Sequence, residues 1–140
     1  MSSSNEAKGS CLCGAVTLHA KSADPHIGAC HCTMCRKWAG GPYLAVDCKD
    51  DVTLEGEDNV SVYDSSEWGE RGFCSKCGTH LFYRLKANNQ YFAPAGLFDS
   101  VSKLDFSHQI FVDEKPDYYD FANKTENMTG AEVFAQFMSE

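Results

Sequence analysis

The sequence predicts a mainly β protein with one short helix near its C-terminal end. Three observations carry that prediction. Most apolar segments are short, alternate with polar residues and are bounded by Gly, Pro, Asp or Asn, which is the pattern of strands and turns. A single stretch near the end, TGAEVFAQFMSE, repeats its apolar residues at helical spacing. Most of the eight cysteines fall in tight groups, CLC, CHCTMC and CSKC, of the kind that staple small β domains through a metal.

In chain order, MSSSNEAK (1–8) reads as a disordered tail and 9–140 as one domain. Strands are expected at AVTLHA (15–20), YLAVDC (43–48), DVTLEG (51–56), NVSVYD (59–64), HLFYRL (80–85), YFAPAG (91–96) and HQIFVD (108–113). LFDSVSKLDFS reads as the loop between the last two. In the final segment Thr129 precedes Glu132 by three residues, the form of a capping box, and Val133, Phe134, Phe137 and Met138 share one helical face for packing on the core. No internal repeat or low-complexity linker divides the chain.

A chain of 140 residues with 43% hydrophobic content is long enough to bury a core. Its formal charge of −8 argues against a nucleic-acid partner, because phosphate binding needs a basic face. The first eight residues lack a signal-peptide apolar stretch, and no run approaches the roughly 18 apolar residues of a membrane span. A cytoplasmic protein with no membrane partner is therefore expected. In a reducing compartment, eight cysteines point to metal binding or redox chemistry rather than to disulfides.

Residues two apart on an extended segment project to the same side, so Cys11 and Cys13 can present two sulfurs to one point, and a C-x-x-C turn does the same with Cys74 and Cys77. Together they make a closed four-thiolate zinc site of structural type. The competing readings are reduced cysteines without metal and a redox pair at CSKC, the latter needing a βαβ context absent from this sequence. In ACHCTMCRKWAG, Cys30 and Cys32 face one side, Cys35 joins them by the following turn, and His31 faces away. His31 is then a supporting hydrogen-bonding group or a packed surface histidine, and His80 and His108 read as structural. Two versions of the site remain: three thiolates with an open position, or closure by Cys48 as C-x-C-x₂-C-x₁₂-C. Cys48 also ends an apolar strand, where a free cysteine packs as a small hydrophobe.

The order G-S-C-x-C-G-A-V, C-H-C-x-x-C-R and F-C-x-x-C-G-T-x-L, over about residues 9–121, resembles the glutathione-dependent formaldehyde-activating family, which includes centromere protein V. Gly14, Arg36, Gly78 and Thr79 flank the clusters in the matching order, and AGLFDS and HQIFVDEKPDYY are similar to the family's downstream segments. Tyr118 and Tyr119 stand where the family leads one to expect a tryptophan, a departure that bears on the pocket and not on the cysteines. The resemblance implies a zinc-stapled β fold of small antiparallel sheets, related to that of methionine sulfoxide reductase B. It also implies two zinc ions per chain: a structural one at Cys11, Cys13, Cys74 and Cys77, and a catalytic one at Cys30, Cys32 and Cys35.

Three thiolates on a divalent ion leave about −1 net charge, which disfavours hydroxide generation and suits activation of a small thiol such as glutathione. The family's reaction, glutathione adding to formaldehyde to give S-hydroxymethylglutathione, is of that type. A carbon–sulfur lyase activity is thus the first expectation, with Arg36 and Lys37 as the cations for the thiol's carboxylates and Arg71 and Arg84 as further candidates. The alternative is a non-enzymatic zinc-binding interaction module or a thiol or metal sensor, in which the second cluster is a sensor or simply another staple.

Overall fold

A computed structural model describes residues 6–101 and 103–138, and the internal contacts of the chain divide it into two units, Met1–Pro25 with Val46–Leu104 and His26–Ala45 with Asp105–Glu140. The first holds β1 (Ala7–Ser10), β2 (Thr17–Ala20), β5 (Val52–Glu55), β6 (Val60–Tyr63), β7 (Gly69–Cys74), β8 (His80–Leu85), β9 (Gln90–Pro94) and β10 (Ser100–Val101). The second holds β3 (His26–Cys30), α1 (Thr33–Ala39), the start of β4 (Tyr43–Asp47), β11 (Asp105–Ile110), β12 (Glu126–Met128) and α2 (Gly130–Met138).

In the first unit one sheet runs β10-β1-β2-β5 with antiparallel pairing throughout. Alternation does the sorting: Leu18 and Ala20 of β2 are fully buried while Thr17 and His19, which alternate with them, are half-buried. Gly9 of β1 lies against the Leu97 carbonyl, where any Cβ would collide with backbone. The second set is the antiparallel meander β6-β7-β8-β9. Gly72 of β7 sits under the Phe82 ring, and the buried Arg71 guanidinium lies 4.6 Å from the Tyr83 ring centre. Arg84 is engaged by Glu70 at 2.8 Å.

In the second unit the order is β12-β11-β3-β4. β3 pairs antiparallel with β4 but parallel with β11, and β12 continues parallel to β11. The last four residues of β3, Ile27 to Cys30, are all buried, as expected of a central strand covered on both faces. α2 begins where the capping box places it: Thr129 N–H donates to Glu132 Oε1 at 2.7 Å and Glu132 N–H to Thr129 Oγ1 at 3.2 Å. Val133 is buried, and the Phe134 ring packs edge-on against Phe111 at 5.8 Å. The expected roles of Phe137 and Met138 lie outside the described side chains.

The mainly β expectation and the C-terminal helix hold, and β8 coincides with its expected span. Differences have local causes. β1, β3, β7, β10 and β12 are not among the expected strands, and β10 lies inside the segment read as a loop; glycines interrupt the alternation of β1, β3 and β7, while β10 has only two residues and β12 three. β1 takes in Ala7 and Lys8 from the segment read as a tail, whose residues 1–5 lie outside the described part. A second helix, α1, follows CHC directly. No described helix is long and apolar enough to cross a membrane.

Candidate metal centres

The four-cysteine cluster is built from two turns. Cys11 follows β1 and Cys74 ends β7; in each case a glycine with positive φ three or four residues on, Gly14 (φ 81°) and Gly78 (φ 79°), returns its N–H to the first cysteine's carbonyl at 3.0 and 2.8 Å. The Sγ atoms of Cys11 and Cys13 are 3.7 Å apart and those of Cys13 and Cys74 are 3.8 Å apart. A tetrahedral ion with Zn–S bonds near 2.3 Å has S–S edges of about 3.8 Å, so these sulfurs are spaced as a zinc shell requires. All four Sγ atoms lie within 4.8 Å of one another. Val16 N–H donates to Cys11 Sγ at 3.3 Å. Leu12 N–H donates to Thr79 Oγ1 at 3.1 Å, which leaves the Thr79 hydroxyl to donate to Cys77 Sγ at 3.1 Å. Hydrogen bonds from Thr79, side chain first and then backbone, pull the Cys77 thiol down to about 5, stabilising the thiolate that binds metal.

Three more sulfurs, those of Cys30, Cys32 and Cys35, also lie within 4.8 Å of one another. Cys30 ends β3, Cys32 is the N-cap of α1, and Cys35 is buried one turn into the helix. The cap is itself a sulfur: Cys32 Sγ accepts from Cys35 N–H at 3.3 Å. The first turn gains a second acceptor in Glu114, whose Oε1 receives Thr33 N–H at 2.9 Å and Thr33 Oγ1–H at 3.1 Å. Gly40, in the left-handed conformation, closes the other end by donating to the Arg36 carbonyl. Hydrogen bonding with Cys32 and then Cys35, followed by burial, pushes the Cys30 thiol far up, because three thiolates this close repel one another. A cation at their centre removes that obstacle, so this donor set also suits a soft divalent metal.

His31 faces away from the sulfurs, as its place in an extended segment predicts, and is fully buried. Nε2 meets Gln109 Oε1 at 2.7 Å and Nδ1 meets the Tyr119 hydroxyl at 2.8 Å, so the surface-histidine alternative falls. Burial holds its pKa below the usual histidine value. Cys48 is fully buried, its Sγ 3.5 Å from the Val46 carbonyl, and burial pushes its thiol up to about 12. Among the described residues the only groups of three or more candidate ligands are the two clusters, and neither includes Cys48 or a histidine.

The cations divide. Arg36 Nε donates to the His31 carbonyl at 2.8 Å, placing it against the three-cysteine segment, and Lys37 beside it is exposed. Arg84 and Arg71 belong to the meander of the first unit, the former paired with Glu70 and the latter buried on Tyr83. His80 lines a shallow depression with Gly78, Thr79, Pro94, Gly96 and Leu97. His108 covers Gly28 and bonds Ser107 through Nδ1 at 2.8 Å. The sequence places Gln109 in a strand and Tyr119 at a departure from the family pattern, and neither residue type in isolation signals a partner for His31.

Clusters of four and three thiols, set at strand ends, in turns and at the start of α1, define a cysteine-rich β protein equipped for soft-metal binding. The family profile described as glutathione-dependent formaldehyde-activating enzyme matches residues 6–114, and the chain belongs to that family. An "uncharacterized lyase" of Schizosaccharomyces pombe is 41% identical over 129 residues, 91% of this chain and 94% of that protein. A "putative glutathione-dependent formaldehyde-activating enzyme" of Halomonas elongata is 36% identical over 84 residues, 54% of each chain. One of the same description from Aspergillus flavus is 30% identical, covering 75% of this chain and 52% of its own. The chain thus spans about half the length of these last two relatives. A crystal structure of a Rhodobacter sphaeroides protein matches 68% of this chain and 90% of its own with a TM-score of 0.56 and 22% identity, a likeness of fold.

Proposed function

We propose that this chain is a zinc-dependent carbon–sulfur lyase working on a thiol adduct, joining glutathione to formaldehyde to give S-hydroxymethylglutathione. The domain is 9–140, the site of action is the cytoplasm, and each chain carries two zinc ions. The observation that carries the reading is the contrast between the clusters: four sulfurs complete a tetrahedral shell, whereas three leave one corner for a ligand from outside. Cys11, Cys13, Cys74 and Cys77 hold the structural ion; Cys30, Cys32 and Cys35 hold the catalytic one. Bound by three thiolates, zinc would supply acidification of an incoming thiol rather than of water.

The reaction needs no redox partner. The thiol sulfur forms a bond to the aldehyde carbon, the carbonyl π pair moves to oxygen, and the proton lost by sulfur ends on that oxygen. Arg36 and Lys37, which follow Cys35 on α1, supply positive charge for the carboxylates of glutathione. Because the two reactants also combine without catalysis, the test must read a rate. Magnetisation exchange between ¹³C-formaldehyde and its glutathione adduct should speed up with the wild-type protein and fall to the uncatalysed rate with Cys35→Ser. Equal exchange with and without wild-type protein would leave the sensor or interaction-module reading in its place.

A further inference from the structure

We infer that Gln109, His31 and Tyr119 form a positioning device that pre-sets the three-cysteine site and controls how tightly it holds metal, an inference that rests on reading that cluster as a metal site. His31 is the residue between Cys30 and Cys32, and its four polar groups are all engaged. Its N–H donates to the Ile110 carbonyl at 3.1 Å, and its carbonyl accepts Arg36 Nε at 2.8 Å. The ring is held at both nitrogens by Gln109 Oε1 and the Tyr119 hydroxyl, at 2.7 and 2.8 Å.

The orientation of Gln109 is itself determined. Its Nε2 donates to Thr125 Oγ1 at 2.9 Å, and that hydroxyl donates to Asn127 Oδ1 at 2.6 Å. Gln109 therefore turns its oxygen to His31, which assigns the proton to Nε2 and leaves Nδ1 to accept from Tyr119. The Tyr119 ring stacks on the imidazole at 5.5 Å and 26°. A ring pegged at both ends and against one face cannot turn, so the peptide it belongs to cannot turn either. Cys30 and Cys32 are thereby held toward the same point before any ion arrives. Much of the entropy of gathering the ligands is spent in folding, and the affinity of the site rises accordingly.

Groups that orient ligands from outside the coordination shell typically alter metal affinity by about 10–100-fold when removed. Tyr119→Phe keeps the ring and removes only the hydroxyl; Gln109→Met keeps the volume and removes the acceptor. The full chain would be loaded with Co²⁺ and titrated with a chelator while the thiolate-to-cobalt bands are followed, with thermal melts in parallel. Wild-type protein should release its two ions in two steps. In both variants the easier step should shift by about 10–100-fold toward release, with the harder step unchanged. Identical release from variants and wild type, or equal weakening of both steps together with the melt, would overturn the positioning role. A wild-type protein that takes up a single ion would instead overturn the metal reading of the cluster before any variant was compared.

Discussion

Cys48 and Cys35 are both buried cysteines, yet only Cys35 has other sulfurs around it. Cys48 is fully buried, and burial holds it as a neutral thiol at ordinary pH. Replacing it with alanine should leave metal content at two ions per chain by elemental analysis and lower stability by about 1 kcal/mol, the ordinary cost of a small buried change. A count of one would restore the closed-site alternative. The cysteine groups were legible because their convergence is local or follows from strand alternation and tight turns. The role of His31 was legible only in its direction. Its partners, 78 and 88 residues away, are brought to it by the β3–β11 pairing and by the segment that follows β11, which no spacing rule encodes.

At the scale of elements, α2 was legible for the reason α1 was not. Thr129 and Glu132 are the usual chemistry of a capping box, and both reciprocal hydrogen bonds form. Thr129→Ala should therefore cost about 1 kcal/mol, read from the urea midpoint, with metal content unchanged; no loss would mean that α2 is held by packing alone. α1 has seven residues, too few for a periodic pattern, and its cap is a cysteine, a residue type that carries no capping signal. Strands missed in the sequence share a second cause. Gly28 and Gly72 look like interruptions, but each is the space into which an aromatic or imidazole ring from the neighbouring strand is packed. The parallel pairing of β3 with β11 joins segments about eighty positions apart and left no local trace.

For the molecule as a whole, the two clusters differ in how much chain they tie together. Cys13 and Cys74 are 61 positions apart, so metal at that site closes a long loop, and its binding energy, on the order of 10 kcal/mol, is folding energy for the first unit. Cys30, Cys32 and Cys35 close almost no loop. Cys13→Ser should yield unfolded or insoluble protein, whereas Cys35→Ser should keep native circular dichroism and lose one ion; equal collapse of the two would count against separate structural and catalytic duties. The same division has an optical consequence. The chain has two tryptophans, and they fall one to each unit: Trp38 on α1, edge-on to Tyr43 at 5.5 Å, and Trp68, 54% exposed, between β6 and β7. Trp38 lies three residues after Cys35, on the same helical face. With Trp68 replaced by phenylalanine, intrinsic fluorescence becomes a label-free reporter of the three-cysteine segment alone, placed there by the fold itself.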